Sequence, residues 1–477
     1  MHRAYRWSLP LFLGLPICAC SGSGSDAGNG AANGGTSGNV SSSGSAGNSS
    51  SVNDGQSAAS GSGGQTTGSA GSSFAGGSGS SSVGASGSSG SSAAGMSGGG
   101  TSSGAANGGT ANGGTNAGGA SGSAGAAGSS NGPSASYFIG ADITSVQAAE
   151  ARGATYSDGT KKDIFQLLKD HGFNYIRLRT FVDPKAADGY DQQNGYADLA
   201  HTISFGKRIK AAGLGFLLDF HYSDNWADPG KQCVPIAWQG YTTIDQLATA
   251  VHDYTKDAIT QLIAGGARPD MVQIGNEITP GMLLHICDSG GQPTGMNPVN
   301  GSTSNWSNLG ALLNAGVKGV KDVDTGIKIM LHIDRGGDKG GYTGGALGTS
   351  ESFITNAQKQ GVVFDVFGES SYQAYQGDPN STSNTETDWM KTFSGLATKF
   401  PNIQLVAAEY GPMQREINDV VFGLANNQGL GTFNWEPTEQ GDWNTGHSLF
   451  TAKGNANTAT ADLALYDAMK TAYASRL

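Results

Sequence analysis

Charge is scarce in this chain. Asp, Glu, Lys and Arg make up 14% of its 477 residues, and between Ser21 and Pro133 only Asp26 and Asp54 carry any. Large apolar side chains are missing from the same stretch, which is almost wholly Gly, Ser, Ala and Asn. Such a segment buries too little to offset the entropy of ordering it. Residues 21–135 are therefore expected to be a disordered, low-complexity linker, and residues 136–477 one large folded domain. Basic clusters are also lacking. The formal net charge of −11 falls on the folded part, which disfavours nucleic acid and anionic membrane faces and favours a neutral partner. The apolar run Trp7 to Ile17 is too short for a membrane span. Preceded by His2, Arg3 and Arg6, it reads as the core of an export signal over residues 1–20.

Cysteine is rare as well, with four in the chain. Leu15-Pro-Ile-Cys-Ala-Cys20, followed at once by Ser-Gly-Ser-Gly, resembles a bacterial lipoprotein signal in which Cys20 is lipidated and becomes the new N-terminus. The plainer alternative is ordinary cleavage and free secretion. A Gly-rich linker of this length has an r.m.s. span of roughly 55–65 Å, enough to hold a domain clear of an envelope surface. Cys233 and Cys287 remain for the domain. In an exported protein an even pair favours a disulfide over two free thiols, and no CxxC spacing marks a zinc site.

From Tyr137 onward, short apolar runs alternate with segments of helical period. The strands expected are Phe138–Ile143, Asn174–Arg179, Gly215–Phe220, Met271–Gly275, Ile327–His332, Phe364–Gly368, Ile403–Ala407 and Gly431–Trp435. Helices fall between them, the first opening at a capping Thr160. Eight strand–helix units in one domain predict an α/β fold of the (β/α)8 TIM-barrel type. The competing doubly wound sheet would need a glycine-rich phosphate turn, and none is present.

Polar residues gather where these strands end: Asp142, Arg179, Asp219 with His221 and Asp224, Asn276 with Glu277, His332 with Asp334, Glu369 with Tyr372, Glu409, and Trp435 with Glu436. Barrel chemistry is built at that end. Any one of these groups is an ordinary strand-end cap, but eight such ends together point to a site. Glu277 and Glu409 end strands four and seven, which face one another across a closed barrel. Two opposed carboxyls suit glycoside hydrolysis, with one protonated to assist the leaving oxygen and the other attacking or activating water. Arg179 is expected beneath Glu409, favouring its charged form as nucleophile, and Glu277 is expected to act as the acid.

Phe-Ile-Gly-Ala-Asp-Ile143, Tyr-Ile-Arg-Leu-Arg179, Asp-Phe-His-Tyr-Ser-Asp-Asn-Trp-Ala-Asp-Pro229, Gln-Ile-Gly-Asn-Glu-Ile278 and Asn-Trp-Glu-Pro437 resemble glycoside hydrolase family 53, the arabinogalactan endo-β-1,4-galactanases. The resemblance covers Tyr137 to Leu477. It implies a retaining (β/α)8 enzyme in which Glu277 is the acid/base and Glu409 the nucleophile. Asp142, Arg179, His221, Trp226, Asn276, Tyr372 and Trp435 would then bind substrate, a β-1,4-galactan or arabinogalactan. Three places depart from the family pattern and bear on the exact substrate: Glu369, Tyr410 after the proposed nucleophile, and Asn434 before Trp435.

Trp226, Trp238 and Trp443 fall in loops where an indole can stack on a sugar, although loop packing explains each one separately as well. Trp306 and Trp389 fall in helices and read as packing residues. No cofactor is required by this reading. Gly441-Asp-Trp-Asn-Thr-Gly-His447 offers oxygen ligands for a structural calcium, with a polar turn the plainer account, so the metal content stays unknown at this point. A monomer satisfies everything in the pattern. The competing functions are a β-mannanase or β-glucanase on the same frame, and a non-catalytic glycan-binding surface protein that would not need both glutamates.

Overall fold

The computed structural model describes residues 136–337, 345–373, 384–439 and 448–477. The signal, the linker, Cys20 and the 441–447 loop with Trp443 lie outside the described residues. Eight parallel strands close into a barrel: β1 Phe138–Asp142, β2 Tyr175–Thr180, β3 Gly215–Phe220, β4 Met271–Ile274, β5 Lys328–Ile333, β6 Val366–Ser370, β7 Gln404–Tyr410 and β8 Gly429–Trp435. β1 pairs with both β2 and β8, which seals the sheet. The helices that pack outside are α1 Ile164–Asp170, α2 Leu199–Ala211, α3 Ile244–Ala264, α4 Trp306–Lys321, α5 Ala346–Lys359, α6 Glu386–Lys399, α7 Gln414–Phe422 and α8 Leu463–Ala472. This is a (β/α)8 TIM barrel. Among the described residues, no helix is long and apolar enough to cross a membrane.

Alternation along each strand sorts the side chains into two cores. Outward residues such as Ile176, Leu178, Phe216 and Val272 join the helices in the larger one. Inside the barrel, Phe138, Leu217, Met271, Met330, Val366, Val406, Leu430 and Phe433 form an apolar plug at the strands' N-terminal half. Above it the inward faces carry Asp142, Arg177, Asp219, Gln273, His332 and Ser370, so the plug is the floor of the site. β2 shows the switch, with Tyr175 against the plug and Arg177 and Arg179 stacked above it.

Several boundaries differ from the sequence expectation. The helix expected to open at Thr160 begins after Asp163, whose carboxylate accepts from the Phe165 N–H at 2.9 Å. Lys161 and Lys162 are drawn instead into an outer sheet against Tyr156 and Ser157. β6 is shifted two residues along, from Val366 to Ser370, and its later end places Glu369 inside the strand. β7 ends three residues later than expected, at Tyr410, and contains Glu409. Cys233 and Cys287 are bonded to each other, tying the loop after β3 to a hairpin after β4.

Candidate active site

Arg177 organises the floor. It is fully buried and all five of its N–H donors are used. Nε donates to Gln273 at 3.2 Å, Nη1 to Asp142 at 3.0 Å and to Glu409 at 2.9 Å, and Nη2 to Asp219 and Asn276 at 2.8 Å each. One guanidinium therefore fixes groups from β1, β3, β4 and β7. Burial alone would weaken its hold on a proton, but Asp219, Glu409 and Asp142 keep it charged. Burial would likewise push Asp219 up, yet Arg177 and His221 hold its carboxyl below the usual range.

The expectation that Arg179 lies beneath Glu409 is corrected here. Arg179 occupies the next layer up and donates to Glu436 at 2.5 Å. Its guanidinium carbon lies 4.2 Å from the Trp226 ring centroid and 5.4 Å from that of Trp435. The residue beneath Glu409 is Arg177. Two positions earlier on a strand is the same face one layer lower, so alternation alone carried the signal for it.

Glu409 faces inward through a bulge. Glu369 pairs with Ala407 and Ser370 with Glu409, leaving Ala408 as the extra residue. Without that slip Glu409 would follow Ala408, which faces the barrel interior, and point out to the helices. Its second oxygen accepts from the Tyr372 hydroxyl at 3.0 Å. Glu277 follows β4 through a turn in which Gly275 (φ +81°) and Glu277 itself (φ +44°) are left-handed. A non-glycine residue there is strained, and the strain aims the carboxyl over the cavity. Ser370 donates to Glu277 Oε1 at 2.5 Å. Carboxylate oxygens of Glu277 and Glu409 and a ring nitrogen of His332 all lie within 4.8 Å of one another.

The two carboxyls differ electrostatically. Burial, then the charges of Glu409 and Asp334, push Glu277 well above the usual carboxylate range. Burial also raises Glu409, to about 7, against the pull of Arg177 and Tyr372. Glu277 is thus the group that keeps its proton. Tyr372 is pushed up by burial and by Glu409 and stays a donor.

The other expected site residues take varied places. Asn276 gives one amide hydrogen to Ala227 O at 2.8 Å. His221 accepts from the Ala227 N–H at 3.0 Å through Nδ1, and its Nε2 faces Asp219 at 3.1 Å. These contacts pin the loop carrying Trp226, which is half-buried 5.8 Å from Trp435. Asp142, expected to meet substrate, is fully buried and holds Arg177 and Thr144. Trp238 packs into the outer core beside Tyr254, away from this cluster. Sequence reading passed over Arg177, Gln273 and Ser370, all inward positions on strands otherwise read as apolar. The Glu277, His332 and Glu409 atoms are the one set among the described residues close enough to share a metal ion. Both nitrogens of His332, however, already face Gln273, Asn276 and Ser370 within 3.1 Å.

The profile of glycosyl hydrolase family 53 matches residues 138–411. The chain belongs to that family. It is 32% identical over 351 residues to the arabinogalactan endo-β-1,4-galactanase of Thermothelomyces thermophilus, covering 66% of this chain and 96% of that one. It is 30% identical over 332 residues to the endo-β-1,4-galactanase of Bacillus subtilis strain 168, covering 64% and 71%. Among solved structures, the GH53 catalytic domain of Ignisphaera aggregans matches with a TM-score of 0.57 at 27% identity, over 71% of this chain and 97% of that one. A fungal β-1,4-galactanase matches equally well, with a TM-score of 0.57 at 29% identity over 70% and 99%. This family 53 chain is a glycoside hydrolase.

The three departures from the family pattern point away from the cleft. Tyr410 and Asn434 both reach the Tyr466 hydroxyl of α8, at 2.9 and 2.7 Å. Glu369 faces the helix layer, where Arg335 N–H donates to it at 3.0 Å. They alter packing behind the barrel wall.

Proposed function

We propose that this protein is an endo-β-1,4-galactanase that hydrolyses β-1,4-galactan or arabinogalactan with retention of configuration. The observation that carries the reading is the approach of the Glu277 and Glu409 oxygens to within 4.8 Å, on the side of the close pair of retaining enzymes and well short of the about 6.5–9.5 Å that inverting enzymes keep. Glu409, held by Arg177 and Tyr372, attacks the anomeric carbon while Glu277 protonates the departing glycosidic oxygen. Water, deprotonated by Glu277, then displaces Glu409. The second amide hydrogen of Asn276 faces a sugar hydroxyl in this reading, and Trp226, Trp435 and Tyr372 supply ring faces for the chain. Cys20 would carry the lipid that holds the enzyme, as a monomer, at the cell envelope.

The test is product release by the purified enzyme on linear β-1,4-galactan, branched arabinogalactan, mannan, xylan and β-glucan. Glu277→Ala and Glu409→Ala serve as controls, with the anomer released first read by NMR. Galactan oligosaccharides of β configuration from the wild type alone are expected. Activity confined to mannan or glucan would overturn the substrate, and initial release of the α anomer would overturn the mechanism.

A further inference from the structure

Resting on the acid/base reading of Glu277, we infer that Ser370 and His332 form a fixed hydrogen-bond relay that confines the Glu277 proton to Oε2. The direction of the relay follows from donor and acceptor inventory. Arg177 can only donate, so the Gln273 atom facing its Nε at 3.2 Å is the amide oxygen. The Gln273 amide nitrogen is then turned towards His332 Nδ1, 3.1 Å away. The main-chain N–H of Glu277 faces the same ring nitrogen at 3.4 Å. One acceptor also lies near, Asn276 Oδ1 at 3.1 Å. That oxygen already receives Arg177 at 2.8 Å and Gln273 at 3.1 Å, one donor for each lone pair. The Gln273 amide has two hydrogens for three acceptors, since it also reaches Gly275 O at 3.1 Å. The Glu277 main-chain N–H can only donate, and it assigns Nδ1 as the unprotonated nitrogen and Nε2 as the one that carries hydrogen.

Nε2–H therefore donates to Ser370 Oγ at 2.9 Å, and the Ser370 hydroxyl has its own hydrogen left for Glu277 Oε1 at 2.5 Å. A carboxylic acid whose Oε1 accepts is the carbonyl there, which leaves the proton on Oε2. Burial and the nearby Arg177 hold His332 well below its ordinary value, so the ring stays neutral and the polarity of the relay does not reverse with pH. No proton travels along the relay. The Oε2 proton passes to the glycosidic oxygen as the C1–O bond breaks with its electron pair and Glu409 bonds to C1. Oε2 regains a proton from water as the water oxygen displaces Glu409. Other titratable groups facing Glu277 are Glu409, Asp334 and Asp228, with Tyr372 donating to Glu409. The three carboxyls raise its pKa, and Ser370 opposes them.

Two measurements on the full chain test this. In protein labelled with 15N-histidine, the His332 signal, found by its loss in His332→Gln, is expected to be that of a neutral Nε2–H tautomer across the active pH range. An Nδ1–H tautomer or a charged ring would overturn the relay, and this readout stands whether or not galactan is the substrate. In kinetics, Ser370→Ala is expected to lower kcat about tenfold, as for loss of a hydrogen bond to a charged group. It should also move the alkaline limb of kcat/KM to higher pH, because the donor that opposes protonation is gone. Ser370→Thr, which keeps the hydroxyl, should restore the limb. A Ser370→Ala pH profile that superimposes on the wild type would sink the idea. Wild type silent on every glycan would instead defeat the galactanase reading.

Discussion

Glu369 is a carboxyl without access to water, lodged between β6 and α5. Burial pushes it up to about 8 from an ordinary 4.5, while hydrogen bonds from Ser350 and the Arg335 main chain oppose the rise only in part. The folded protein therefore keeps a proton that the unfolded chain has released, and stability falls as pH climbs from about 4.5 towards 8. Below that window the neutral acid costs nothing extra. Glu369→Gln is neutral at every pH and should remove this part of the slope, leaving that of the other raised carboxyls, Glu409 and Glu436 among them. Urea unfolding should find the variant equal to wild type at pH 4, below the ordinary value of the carboxyl, and more stable by a few kcal/mol at pH 8. Equal pH slopes in the two proteins would show that Glu369 ionises freely where it lies. Activity should change little, since this carboxyl faces away from Glu277 and Glu409.

At the scale of elements, one hydroxyl of α8 reaches two barrel strands. Tyr466 is buried and meets both Tyr410 of β7 and Asn434 of β8. Tyr466→Phe would leave the Asn434 amide and the Tyr410 hydroxyl short of a partner. The expected cost is about 1–3 kcal/mol, seen as a lower denaturation midpoint with kcat unchanged. Loss of activity without loss of stability would mean that this contact also sets the bulge beside Glu409. The bulge marks how far the sequence could be read. Eight units, the barrel, and the strand ends bearing Glu277 and Glu409 were all visible in hydrophobic period and position. The inward turn of Glu409 was not, because strict alternation past Ala408 sends it outward, and only the pairing with β6 reveals the slip. Arg177 was hidden for the opposite reason. Alternation placed it correctly, but a charge beneath the strand end reads as one too many until five acceptors from four other strands surround it.

For the whole molecule, the barrel holds every group the proposed chemistry uses, while the linker offers no side chain suited to it. The division predicts separable effects. Cys20→Ala should move the enzyme from the detergent phase to the aqueous phase on Triton X-114 partition and leave kcat/KM on soluble galactan unchanged. Retention in the detergent phase would mean that something other than a lipid on Cys20 holds the protein. Deleting residues 31–130 while keeping Cys20 addresses the length of the tether. The composition predicts a coil spanning roughly 55–65 Å, enough to clear a polymer coat, whereas for the few residues left it predicts a reach within about 30 Å. The purified short form should match wild type on galactan in solution. Cells carrying it should degrade high-molecular-weight galactan more slowly than cells with the full linker, with no difference on short galactooligosaccharides. Equal rates on the polymer would show that reach is not what the linker supplies. A fall in kcat for the purified short form would show that the linker acts on the barrel itself.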